Sequence, residues 1–152
     1  MRRRRGTARA ALVAALFATA PALAADPSAW VGRYTFDKID GRDFWTTLGP
    51  ALDRTLGAPL AAKLRKGWGP TSPVVRTGDW TVGWMCQAHN CGPSNVTVAV
   101  SSTGRLIACT YGVAPGEGAV WREAAKPPRP AAGGCPDSDA MVAAMRKLGI
   151  AP

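Results

Sequence analysis

A chain of 152 residues with 19 basic and 10 acidic side chains has a formal charge of +9, but five of its arginines (2, 3, 4, 5 and 9) and none of its acids fall in the first 24 residues. The other 128 residues hold 14 basic against 10 acidic side chains, a balance of +4. They lack the dense basic stripe with interleaved aromatics that a nucleic-acid binder needs, and their number suits one domain with one core.

The N-terminal segment reads as a secretory leader. Arginines form its front, an apolar run from Ala10 through Leu23 forms its middle, and Ala22-Leu23-Ala24 supplies the small-residue cleavage site. The run is too short and too alanine-rich for a spanning helix, which needs about 20 strongly apolar residues. The expectation is a leader over 1–24, then a single exported domain over 25–152, periplasmic and free of the membrane after cleavage.

Along the domain, Asp43 is placed to cap a short turn through Phe44 and Trp45. Pro50 suits the first position of a helix in which Leu48, Leu52 and Leu56 recur on one face and Gly57 ends the pattern. Pro59 begins a second helix with Leu60 and Leu64, and Gly67 lies past its end. Lys63, Arg65 and Lys66 fall in its last turn, where cations complement the helix dipole. From Val74 the period changes to two: Trp80, Val82 and Trp84, then Val96, Val98 and Val100, then Leu106, Ala108 and Thr110 alternate with their neighbours, as half-buried antiparallel strands do. Ser102-Thr103-Gly104 turns the second of these into the third. A weaker strand covers Ala119 to Arg122, and residues 124–135, rich in Pro and Gly, form a loop. A last helix is capped by Asp137 or Ser138, with Met141, Met145 and Leu148 as its apolar face and Gly149 past its end. The sum is an α+β domain: an antiparallel sheet with helices packed on one side.

All four cysteines, Cys86, Cys91, Cys109 and Cys135, follow the leader, and an even count in an exported chain points to disulfides. Three pairings are possible. Cys86 with Cys91 is the local one, which leaves Cys109 with Cys135. In the chain-entropy model the six-residue ring stabilises by roughly 2 kcal/mol and the longer loop by roughly 3.5. The short ring therefore acts mainly by stiffening its own segment, Cys86-Gln87-Ala88-His89-Asn90-Cys91. That segment falls between two strands as an outward hairpin tip and holds the chain's one histidine. On a stiff tip, His89 faces outward and binds at reduced entropic cost.

Competing chemistries fit these residues poorly. A zinc site of Cys86, His89 and Cys91 has the wrong spacing and lacks a fourth ligand. C-x4-C is not the C-x-x-C of a thiol oxidoreductase. One histidine without a G-x-S-x-G motif builds no hydrolytic triad. No catalytic set, metal or cofactor is expected, and the Asn95-Val96-Thr97 sequon, at a strand start, reads as chance.

The loop Cys86-Gln87-Ala88-His89-Asn90-Cys91-Gly92 and the strand after it resemble the signature of the inhibitor of vertebrate lysozyme family, a C-x-x-H-[DN]-C-G loop between two strands. The likeness extends upstream to Lys66-Gly67-Trp68-Gly69, Thr71-Ser72-Pro73-Val74 and Thr77-Gly78-Asp79, and covers roughly residues 58–112. The resemblance implies an inhibitor of C-type lysozyme or a related muramidase, not an enzyme. It implies that the six loop residues enter the substrate cleft and that His89 approaches the catalytic carboxyls. A non-inhibitory envelope module, contacting peptidoglycan or one of the cell's own murein-cleaving enzymes, is the alternative. Many relatives carry an acidic residue where Asn90 stands and a charged one where Gln87 stands. C-type lysozymes are themselves basic, so steering opposes association with a +4 chain. Asp37, Asp40 and Asp43 are close enough in sequence to form a local acidic face.

Overall fold

The computed structural model describes residues 25–151, so the leader expected over 1–24 lies outside the described residues. A short 3-10 turn, Pro27–Trp30, precedes three helices, α1 (Phe44–Thr47), α2 (Gly49–Leu56) and α3 (Ala58–Lys66). Six strands follow: β1 (Val75–Thr77), β2 (Trp80–Cys86), β3 (Asn95–Ser101), β4 (Leu106–Tyr111), β5 (Val120–Glu123) and β6 (Arg129–Pro130). The chain ends in α4 (Met141–Lys147). The strands form one antiparallel meander in sequence order. The α+β class read from the sequence is the class observed.

The helices form where the sequence marks them. The Asp43 carboxylate accepts the Thr46 N–H at 2.7 Å, capping α1. Pro50 and Pro59 sit in the first turns of α2 and α3, where a missing N–H costs nothing. At the end of α3, Arg65 forms a two-pronged pair with Asp53, at 2.9 and 2.8 Å, and also donates to the Gly49 carbonyl, fastening α3 to α2.

The sheet is buried on both faces, and this is where the picture of helices on one side needs refinement. Helices α1–α3 cover the face formed by Met85, Val96, Val98, Val100, Leu106 and Ala108. Helix α4 covers the other, formed by Trp80, Val82, Ala99, Ile107 and Trp121. The central strands are therefore buried at nearly every position, as strands between two layers must be. At Gly83 a Cβ would lie 2.4 Å from the Phe44 ring, so the missing side chain is what lets α1 sit down on β2.

Leu148, expected on the apolar face of α4, is 48% exposed. The helix stops one residue earlier in a Schellman motif: Gly149, at φ 64°, donates to the Arg146 carbonyl and Ile150 donates to that of Met145 at 2.9 Å. The reversal carries Ile150 and Ala151 into the core beside Met145 in place of Leu148. Strand β6 inside the Pro-Gly loop is a second addition; it is a two-residue edge at Arg129–Pro130, too short to show alternation.

Candidate functional site

Cys86 and Cys91 are joined, as are Cys109 and Cys135. Cys109 is fully buried and links β4 to the segment leading into α4. Cys86, also buried, is the last residue of β2, and its partner Cys91 closes a ring at one end of the sheet. Gln87, Ala88, His89 and Asn90, the four residues between the two cysteines, are all exposed.

The ring is a built turn. The Asn90 N–H donates to the Gln87 carbonyl at 3.0 Å, defining a four-residue turn with His89 in its third position. His89 lies at φ 63°, in the left-handed region, which is uncommon for residues other than glycine although Asn, Asp and His enter it more readily than most. Such a backbone costs of order 1–3 kcal/mol and persists where its surroundings hold it. Here the surroundings are visible. Gln87 donates to the Ser94 carbonyl at 2.9 Å, and Ser94 donates back to Asn90 at 3.1 Å. The Asn90 side-chain amide reaches the Gln87 side chain at 3.3 Å.

Two further segments flank the loop. The Cys86 N–H donates to the Pro70 carbonyl and the Ala88 N–H to that of Trp68. Between them, Gly69 runs so close that a Cβ would lie 2.4 Å from the Cys86 oxygen and 2.5 Å from the Ala88 nitrogen. On the other side the Ser94 hydroxyl donates to the Gly112 carbonyl at 3.0 Å, and a Cβ on Gly112 would come within 2.0 Å of the Pro93 oxygen. Glycines 69 and 112 let two neighbouring backbones grip the loop's outgoing and returning limbs. This grip does not follow from sequence spacing; Gly69 carried only the family likeness, and Gly112 gave no signal.

The electrostatics of this end are set by what it lacks. Residues 67–72, 87–94 and 111–116, the three segments that meet here, contain no Lys, Arg, Asp or Glu. Lys66, the last residue of α3, and Glu117 border these segments in sequence, and further basic side chains lie in the last turns of α3 and α4 and on β5. Of the three aspartates considered for a local acidic face, Asp37 and Asp40 are exposed and Asp43 is not. Asp43 is buried as the α1 cap and receives Lys38 at 2.6 Å. Burial pushes its carboxyl up, but the bonds from Lys38 and Thr46 outweigh this and leave it below the usual carboxylate range. Asp37 is taken up by the Tyr34 N–H at 2.9 Å, and Asp40 sits in a tight turn at φ 50°.

Among the described residues no group of three or more His, Cys, Asp or Glu side chains could hold a metal ion. Asn95 is buried and its amide nitrogen is bonded to the carbonyls of Cys91 and Gly92, so the nitrogen that a glycan would join is not accessible.

The disulfide-closed, exposed histidine loop lies between β2 and β3, where the sequence resemblance expects it. The model of the inhibitor of vertebrate lysozyme (Ivy) family matches residues 47–147. The chain belongs to the Ivy family. The match runs from the end of α1 to the end of α4, and so spans all six strands and both disulfides. No curated protein and no solved structure matches the chain. Ivy membership supports lysozyme inhibition as the general function and lysozyme as the general partner, and the family is one of inhibitors.

Proposed function

We propose that the protein is an exported, periplasmic inhibitor of C-type lysozyme that inserts the loop Cys86–Cys91 into the enzyme's substrate cleft and places His89 against the catalytic carboxyls. The observation that carries this reading is His89 itself, the chain's one histidine, exposed at the crown of a braced turn in a left-handed backbone.

The chemistry is complementary. A retaining glycosidase holds one carboxyl protonated and the other ionised, about 5 Å apart. A neutral imidazole offers a donor at one nitrogen and an acceptor at the other. It can accept from the acid and donate to the carboxylate, satisfying both groups as water leaves the cleft. The flanking uncharged segments then cover sugar subsites without bringing a cation against a basic enzyme. The charge conflict raised by the +4 body is eased within the loop and its flanking segments, which carry no Lys, Arg, Asp or Glu. The leader-like N-terminal segment supports export to the compartment where a muramidase would meet this inhibitor.

The test is a muramidase assay with purified residues 25–152 and a C-type lysozyme. The reading predicts loss of lysis at micromolar inhibitor and recovery of lysis with His89→Ala. Full lysis with the unaltered protein, or equal inhibition by the variant, overturns it and favours a non-inhibitory envelope module.

A further inference from the structure

The Cys86–Cys91 bond closes a six-residue ring, but the loop does not end there. Gly92, Pro93 and Ser94 lie outside the ring and must still carry the chain back into β3. Asn95, the first residue of that strand, pairs in register with Cys86 on one side and Tyr111 on the other. Its side chain is turned back under the loop. The amide nitrogen donates to the Cys91 carbonyl at 2.9 Å and to the Gly92 carbonyl at 3.0 Å, one NH2 group spanning two successive carbonyls. Its own oxygen is buried and has no hydrogen-bond partner.

That imbalance is informative. A buried amide with an unpaired acceptor is a poor choice for stability alone. What Asn95 supplies is the donor pair, aimed at the two residues where the ring ends and the return limb begins. The bonds are non-covalent and independent of sulfur chemistry. They act beside the Ser94–Asn90 and Ser94–Gly112 contacts, so the limb is held along its length.

We propose that Asn95 is the positioning residue of the inhibitory loop, clamping Cys91 and Gly92 so that His89 keeps its presented geometry whether or not the Cys86–Cys91 bond is formed. The inference rests on the reading that this loop is the docking element. Asn95 does not touch the enzyme; it acts through the backbone that carries His89.

The test combines Asn95→Asp with the pair Cys86→Ser/Cys91→Ser. Aspartate has the same shape but, ionised, turns both donors into acceptors facing two carbonyls. Amide hydrogen exchange of the free protein decides the clamp. With the serine pair alone, Gln87, Asn90 and Ser94 should exchange less than about fivefold faster than in the unaltered protein. Adding Asn95→Asp should speed them at least about tenfold further, while Val98 and Ile107 in the central strands stay unchanged. Equal exchange with and without Asn95→Asp, or complete loss of protection from the serine pair alone, overturns the proposal.

Inhibition supplies the second readout. The serine pair should still inhibit lysozyme, and the triple variant should inhibit about tenfold less well than the pair. In a His89→Ala background, Asn95→Asp should change the residual binding less than about twofold, a coupling that a merely structural residue would not produce. Equal losses in the two backgrounds contradict a positioning role. Unchanged inhibition by His89→Ala alone defeats the docking reading instead, and leaves the exchange result to decide the clamp. Should Asn95→Asp not fold, Asn95→Ser, which keeps one short donor, replaces it with the same direction of effect.

Discussion

The two disulfides divide the molecule into regions that use the same bond for different ends. Cys109–Cys135 joins segments 26 residues apart, has its sheet cysteine fully buried, and holds the approach to α4 against β4. Cys86–Cys91 joins residues five apart at the rim of the sheet and encloses only exposed side chains. A cross-link between distant segments restricts the unfolded chain strongly, and a short ring restricts it little. The first region therefore contributes to whether the protein folds, and the second to how one surface is presented. Charge follows the same division: ion pairs such as Arg65–Asp53 and Arg105–Glu123 lie in the body, and the loop end has no Lys, Arg, Asp or Glu.

That contrast can be broken at several points. The largest effect should come from Cys109→Ser/Cys135→Ser, which should cost about 3.5 kcal/mol in denaturant unfolding while the folded fraction inhibits lysozyme normally. Reduced inhibition per folded molecule would show that the two regions are not separable. Gly112→Ala forces a Cβ into the Pro93 oxygen at a φ of 58°. A stability loss of roughly 1–3 kcal/mol should accompany weaker inhibition, because this strain falls on the loop's return limb. Cys86→Ser/Cys91→Ser should cost no more than about 2 kcal/mol in the same unfolding experiment.

Acid should act on the body. The Arg105 and Lys126 bonds to Glu123 and the Arg65 bonds to Asp53 hold those carboxyls below their ordinary values, as the Lys38 and Thr46 bonds do for Asp43 against its burial. Groups lowered in the folded state stabilise it fully above their unfolded pKa values, near 4. That contribution is lost as pH falls through the lower folded values. The melting temperature should thus decline on acidification below about pH 4, and a decline confined to higher pH would point to other groups. The smallest effect concerns salt. With no Lys, Arg, Asp or Glu at the docking end, the rate of dissociation from lysozyme should change less than about twofold between low and high salt, while association quickens as repulsion between two basic bodies is screened. Strong acceleration of dissociation by salt would mean that charged groups do meet in the complex.

Most of the fold was legible because its signals are local. Pro50 and Pro59 opened helices, Gly57 and Gly67 closed them, and the valines of β3 alternated in plain view. The loop and its histidine were legible for the same reason. The second layer, α4 beneath the sheet, was harder to assign, because a strand apolar on both faces looks much like one apolar on a single face when its small or polar residues are Thr and Ala. The braces of the loop were not legible at all. Gly69 and Gly112 act by having no side chain where another part of the backbone passes, and Asn95 reads as an ordinary strand start or a sequon until its amide is seen under Cys91 and Gly92. Contacts between residues far apart in sequence leave no periodic trace.

The central claim is that the exposed end exists to present one imidazole, and His89→Gly tests it most directly. Glycine accepts the left-handed backbone at φ 63° without strain, so the variant should fold with an unchanged or slightly higher melting temperature. The measurement is its inhibition constant against a C-type lysozyme beside that of the unaltered protein. The account predicts a loss of at least about 30-fold, the size expected for truncating a central hot-spot side chain. Inhibition within about twofold of the unaltered protein, from a variant shown to be folded, would contradict it.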